Sequence, residues 1–247
     1  MSSTETGAPG WLTARPFAHR ALHDGNRAIP ENSCAAANRA IAEGYGIECD
    51  LQLSRDGIPL VFHDDDLTRL TGHDSLVSSM DAADLAQFNL CETAERIPTF
   101  DGFLGLVAGR VPLLIELKSN AATDSELFVA AVAKCLAAYD GSAALMSFDP
   151  LLVETCRRMI GDRPVGLTAE GNDVKAIHEH EEVAKNGVDF VSYDHQHLPN
   201  GFTDGLRKRG IPVLCWTIRS DDEARSALAH CDQITFETYL PASENPG

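Results

Sequence analysis

Three kinds of feature are missing from this sequence, and each absence removes a class of function. It has no excess of basic residues: 20 Lys and Arg stand against 37 Asp and Glu, a formal net charge of −17. Nucleic acid and anionic membranes are bound through a basic face that displaces counterions, so neither is expected as a partner. It has no long apolar run. Nothing approaches the roughly 20 residues of a membrane span, and residues 1–16 lack the basic opening and apolar stretch of a signal peptide. It also has no Cys-x-x-Cys pair. The seven cysteines are odd in number and scattered, which excludes a disulfide framework or a zinc ribbon and fits free thiols in a reducing cytoplasm.

What is present reads as one enzyme-sized globule. With 44% hydrophobic and 23% charged residues and no low-complexity tract, the chain has the composition of a folded protein, and 247 residues suit a single α/β barrel. Turn signals and apolar runs alternate with helical periodicity from Arg15 almost to the end, the order of a parallel sheet. Nine strands are expected, at 15–20, 46–53, 59–63, 111–118, 143–148, 164–168, 189–194, 212–218 and 233–238, one too many for eight. Ser54-Arg55-Asp56-Gly57 resolves the surplus, because four residues cannot form a parallel crossover. The second and third strands must form a hairpin, leaving a (β/α)8 TIM barrel with a small insertion after the second-strand hairpin. Residues 1–14 read as a flexible leader and 15–247 as the single barrel domain. Residues 65–98 read as a polar insertion capping the mouth, with a short helix near 81–88. Helix starts are marked by Asn32-Ser33, Asp149-Pro150 and Ser220-Asp221.

The chemistry concentrates at expected strand ends. In Ile47-Glu48-Cys49-Asp50 the two carboxylates project to one face and Cys49 to the other. Inside a barrel two adjacent acids need a cation, and a hard, oxygen-liking metal is the natural occupant; a solvated edge strand is the bland alternative. Glu116 and Lys118 share one face of the apolar run Leu113–Leu117 and are either an internal ion pair or a third metal carboxylate beside a phosphate-contacting lysine. His19 ends the first strand and His63 the hairpin's return arm, so two imidazoles can converge above one opening as base and acid for phosphodiester cleavage. Arg20 offers a planar fork for phosphate oxygens, or a salt bridge to one of the many acids. His195 and His197 read as loop histidines, and His73, His178 and His180 as solvent-facing.

Taken in order, Ala18-His19-Arg20, Ile29-Pro30-Glu31-Asn32-Ser33, Glu48-Cys49-Asp50-Leu51-Gln52-Leu53, Asp56-Gly57-Ile58-Pro59-Leu60-Val61-Phe62-His63-Asp64 and Glu95-Arg96-Ile97-Pro98-Thr99 resemble the glycerophosphodiester phosphodiesterase family. The likeness continues more weakly through Ile115-Glu116-Leu117-Lys118, Ser147-Phe148-Asp149-Pro150 and Cys215-Trp216-Thr217-Ile218. It implies a barrel with one divalent cation, Mg²⁺ or Ca²⁺, at the strand ends, hydrolysing glycerophosphodiesters to an alcohol and glycerol 3-phosphate. By motif, His19 and His63 would be the catalytic pair, with the two roles open to exchange. Glu48, Asp50 and Glu116 would hold the metal, Arg20 and Lys118 would contact the phosphate, and Trp216 would line the substrate pocket. The attacking oxygen would come from water or from the substrate's own neighbouring hydroxyl. The partner implied is a small-molecule phosphodiester; the sequence carries no signature of oligomeric state. Lysophospholipids or sugar phosphodiesters are the rival substrates, and a barrel that binds phosphate ligands without catalysis is the rival from another class. Two departures from the family pattern stand out. Ala21 replaces the usual glycine after His-Arg, adding a methyl group expected to narrow or redirect the pocket, and Phe236-Glu237-Thr238 replaces the usual Thr-Asp near the last strand.

Overall fold

Ser33 Oγ accepts the N–H of Ala36 at 3.1 Å and opens α1 (Cys34–Glu43). Asp149 caps α6 (Pro150–Met159) with Pro150 in its first turn, and Ser220 caps α9 (Asp221–Ala227). These are the three helix starts the sequence marked, and each side chain satisfies an N–H that the helix leaves without a partner. A computed structural model describes residues 8–120 and 123–241 of the chain. Its strands are β1 (Phe17–Ala18), β2 (Gly46–Leu53), β3 (Pro59–Val61), β4 (Leu113–Leu117), β5 (Ala143–Ser147), β6 (Val165–Ala169), β7 (Phe190–Asp194), β8 (Val213–Ile218) and β9 (Gln233–Phe236). The remaining helices are α2 (Thr68–Thr71), α3 (Ala82–Leu85), α4 (Phe100–Val107), α5 (Ser125–Leu136), α7 (Val174–Lys185) and α8 (Gly201–Lys208), with α6 at Pro150–Met159 and α9 at Asp221–Ala227. Among the described residues no helix is long and apolar enough to cross a membrane.

Eight strands run parallel in the order β1-β9-β8-β7-β6-β5-β4-β2, and the pairing of β1 with β2 closes the ring. The fold is the expected (β/α)8 barrel. The ninth strand, β3, pairs antiparallel with β2 at Leu51↔Val61, Gln52↔Leu60 and Leu53↔Pro59, as the short turn requires. That turn closes with Gly57 at φ +77°, a conformation that an L side chain rarely adopts. The first strand is shorter than expected. Arg20 and Ala21 both take left-handed backbone angles, φ 52° and 63°, which ends β1 opposite Ile47 and leaves the upper edge of β2 open for β3.

Two apolar layers hold the ring. Outward-facing residues such as Ile47, Cys49 and Ile115 pack under the helices with Phe103, Phe128 and Leu152. Inside, Leu12, Phe17, Leu114, Ala144, Met146, Phe190 and Leu214 form a plug. Gly46 and Gly166 make room for its two phenylalanines: a Cβ would lie 2.6 Å from the Phe17 ring and 2.5 Å from the Phe190 ring. Leu12 corrects the reading of 1–14 as a flexible leader. Residues 1–7 lie outside the described residues, but a short helical turn at Gly10–Leu12 buries Leu12 completely in the plug, because the barrel's apolar floor needs a cover. Within 65–98, Leu67, Leu70, Val77, Leu85, Leu90 and Ile97 gather around Leu60 and Phe62 in a core of their own.

Candidate active site

Interior positions recur every second residue along a strand, so each strand that supplies a plug residue supplies a cavity residue above it. Phe17 is followed by His19, Leu114 by Glu116 and then Lys118, Phe190 by Ser192, and Leu214 by Trp216. The result is a cavity of about 290 Å³ at the carboxyl ends of the strands. It is lined by all eight residues singled out in the sequence: His19, Arg20, Glu48, Asp50, His63, Glu116, Lys118 and Trp216.

Glu48, Asp50 and Glu116 are buried, and each offers a carboxylate oxygen within 4.8 Å of the other two. Burial, with Asp50 and Glu116 alongside, pushes the Glu48 carboxyl well above the usual carboxylate range. Burial opposes ionisation of Asp50 as well, but Lys118, His63, Arg20 and the Asn32 amide together hold it below its usual value. Glu116 is raised by burial despite Lys118, whose Nζ lies 2.6 Å from Glu116 Oε1 and 3.5 Å from Asp50 Oδ1. Two cations, Arg20 and Lys118, thus face three acids. Three oxygen donors converging in a site left short of positive charge suit a hard divalent cation held by Glu48, Asp50 and Glu116.

Each histidine is aimed by a carboxylate through Nδ1. His19 Nδ1 is 2.7 Å from Glu237 Oε2, and His63 Nδ1 is 2.7 Å from Asp64 Oδ1. Burial lowers the His19 pKa, with Glu237 working in the opposite direction. On the far ring atom, His63 Nε2 lies 3.1 Å from Lys118 Nζ. The backbone at Arg20 turns so that its N–H donates to Glu48 Oε2 at 2.8 Å, while its guanidinium donates to Glu31 Oε1 at 2.8 Å and sits 3.7 Å from Asp50. Trp216 donates its indole N–H to the Ser192 carbonyl at 3.2 Å and meets Phe148 edge to face, ring centroids 5.7 Å apart.

Several supporting residues carried no assigned role in the sequence. Glu237 is anchored by Arg219 at 2.7 Å and supplies the carboxylate at the last strand where the motif departs from the family. Arg69, from the segment between the hairpin and α4, grips Asp64 at 2.6 Å and Glu31 at 2.7 Å, so it braces the partners of both His63 and Arg20. The neighbouring motif flagged Asp64 and Glu31; Glu237 was marked only as a departure from the family pattern, with nothing to link it to His19, 218 residues away. Ala21 does not narrow the cavity. Its left-handed φ turns the methyl into the core, where it is buried with Ala36 and Ala37. His195 and His197 lie in a short turn after β7, and His197 Nδ1 accepts the Gly171 N–H at 3.0 Å. His73 and His178 are exposed, but His180 is half-buried and packs edge to face on Tyr193, since β7 brings that ring beneath α7.

Burial alone raises the Glu31 pKa, yet Arg69, Arg20 and the Asn26 amide outweigh it and lower the value from 4.5 to about 2. A carboxyl whose folded value is depressed adds stability above its unfolded value and loses it as pH falls through the folded one. Stability is therefore expected to drop between pH 4.5 and about 2. About 3 kcal/mol of that drop, at about 1.4 kcal/mol per unit, belongs to this group. Denaturation midpoints of the protein and of Glu31→Gln across that range check it: the variant starts less stable and has the shallower decline.

A parallel barrel with acids, cations and carboxylate-held histidines at its strand ends defines a class, the α/β-barrel hydrolases of phosphodiesters. The model of the glycerophosphoryl diester phosphodiesterase family matches residues 19–234. A glycerophosphodiester phosphodiesterase of Caldanaerobacter subterraneus is 26% identical over 220 residues, covering 83% of this chain and 88% of the relative. Among solved structures, an Oleispira antarctica phosphodiesterase in complex with the product sn-glycerol-3-phosphate aligns with TM-score 0.79 and 23% identity over 93% of each chain. A glycerophosphodiester phosphodiesterase of Thermotoga maritima aligns with TM-score 0.74 and 22% identity over 90% of this chain and 94% of the other. This chain belongs to the glycerophosphoryl diester phosphodiesterase family.

Proposed function

We propose that this protein hydrolyses small glycerophosphodiesters to an alcohol and glycerol 3-phosphate, using one divalent cation, Mg²⁺ or Ca²⁺, held by Glu48, Asp50 and Glu116. The observation that carries the reading is the convergence of three buried carboxylates and two carboxylate-held histidines on one cavity. The bound cation would neutralise and orient the phosphodiester. Arg20 and Lys118 add charge-assisted hydrogen bonds to its oxygens. His19, kept neutral by burial with Glu237 holding Nδ1, removes the proton from the attacking oxygen. His63, fixed through Asp64 and beside the Lys118 ammonium, delivers a proton to the departing alkoxide. Trp216 and Phe148 form the apolar side of the pocket. Residence in the cytoplasm is part of the same proposal and is supported by seven cysteines with no disulfide among them.

The test is turnover of bis(p-nitrophenyl) phosphate and of glycerophosphocholine before and after EDTA, with Mg²⁺, Mn²⁺ and Ca²⁺ added back singly. Activity that disappears on chelation and returns with Mg²⁺ or Ca²⁺ is expected. Turnover indifferent to EDTA, or no hydrolysis across a panel of glycerophosphodiesters with any ion, would overturn the proposal.

A further inference from the structure

The carboxylate that aims His19 is held from more than one direction. Arg219 donates to Glu237 Oε1 from Nε at 2.8 Å and from Nη2 at 2.7 Å, and His19 Nδ1 lies 2.7 Å from Oε2. A second imidazole reaches the same Oε2. His23 Nε2 stands 3.7 Å away on a side chain only 8% exposed, and that nitrogen has no hydrogen-bond partner among the described residues. The separation is about 0.8 Å beyond an ordinary hydrogen bond, within reach of a small rotation of either side chain. His23 is not part of the cavity lining, so contact with a substrate does not account for its place.

The path of the chain makes this meeting. Arg20 and Ala21, both left-handed, fold back the segment after β1, and the His23 N–H donates to the Ala21 carbonyl at 3.0 Å. Residue 23 thereby returns to the carboxylate that residue 19 already touches. The ring is oriented from its other edge, where the Gly25 N–H donates to Nδ1 at 3.1 Å. A ring nitrogen that accepts a hydrogen bond bears no proton, so this pattern assigns the imidazole proton to Nε2, the atom facing Glu237. His19, then His23 and Arg219, hold the Glu237 carboxyl below its usual range against the opposing effect of burial. The base needs that carboxylate in place: with the proton kept on Nδ1, the lone pair of His19 Nε2 is free to accept from the attacking oxygen.

We propose that His23 is a positioning residue for the base: by presenting its Nε2–H to Glu237 Oε2 it keeps that carboxylate turned toward His19 Nδ1. The inference rests on the phosphodiesterase reading, with His19 as its base. No proton passes through His23, and its effect on the reaction is exerted wholly through Glu237.

Two variants that exchange its contacts test it. His23→Asn keeps an acceptor for the Gly25 N–H and loses the donor toward Glu237, whereas His23→Gln keeps a donor at the Nε2 position and loses the acceptor. With glycerophosphocholine as substrate and the full chain loaded with Mg²⁺ or Ca²⁺, His23→Asn is expected to lower kcat about tenfold, as for loss of one hydrogen bond to a charged group. KM and cation affinity should not move, and His23→Gln should retain most of the wild-type kcat. In a Glu237→Gln background, His23→Asn should cost nothing further, because the group it acts through is already altered. Wild-type kcat in His23→Asn, the same loss repeated on top of Glu237→Gln, or an equal loss in His23→Gln would each overturn the proposal. Nitrogen NMR of the neutral histidine rings separates it from the catalytic reading. Wild type should show His19 protonated at Nδ1, and His23→Asn a mixture of the two tautomers. An unchanged His19 ring in the variant would remove the role of His23 whether or not any diester is turned over. The tautomer change without hydrolysis of any diester would remove the catalytic reading and leave the positioning of His19.

Discussion

His19→Ala and His63→Ala are each expected to lower kcat on a glycerophosphodiester by about 10²- to 10⁴-fold, the range lost when a positioned acid or base is removed, while cation binding persists. The separation follows from the geometry, because neither imidazole belongs to the carboxylate triad and each is held from outside it, His19 by Glu237 and His63 by Asp64. The supporting carboxylates give a graded control. Glu237→Gln keeps an acceptor for His19 Nδ1 but removes the charge that opposes the lowering of its pKa by burial, so the acid limb of the pH–rate profile should move to lower pH. Steady-state kinetics with a cation titration followed by calorimetry measures both quantities. Normal turnover in either alanine variant would remove that histidine from the pair.

Glu48→Gln is expected to raise the thermal midpoint of the cation-free protein and at the same time abolish its response to added cation. Burial and two neighbouring acids hold the Glu48 carboxyl well above its usual range, so near neutral pH its ionised form works against folding. The amide keeps the same shape and the acceptor for the Arg20 N–H, now at 2.8 Å to Glu48 Oε2, and it carries no charge. Cation affinity should fall by more than about 100-fold, beyond what is lost when a merely supporting group of a metal site is removed, and turnover should fall with it. Thermal melts with and without Mg²⁺ or Ca²⁺ read both effects. A variant less stable than the parent without cation, or one still stabilised by it, would show that Glu48 is not held as a strained ligand. Gain of stability on loss of function is the behaviour of a site whose charges converge to receive something.

The two features that revealed most in the sequence are both local. The turn Ser54–Gly57 is too short to connect parallel strands, and this alone converted nine strands into eight and a hairpin. The alternation of Glu48, Cys49 and Asp50 put two acids inside and the thiol outside, because side chains on a strand alternate whatever surrounds it. Helix caps were readable for the same reason, since Ser33, Asp149 and Ser220 act within three residues of themselves.

Contacts made by closure of the ring were not readable. Glu237 meets His19 only because β9 and β1 become neighbours, and Leu12 is buried only because the finished barrel leaves an apolar floor to cover. Arg69 braces Asp64 and Glu31 only once the folded chain brings its segment beside both. The sequence by itself determined the strand count, the inward acids and the two histidines, because those follow from steric periodicity over a few residues. Only the tertiary structure decided which carboxylate aims which histidine and what faces the acids across the cavity, because those pairings depend on distances between strands far apart in the chain.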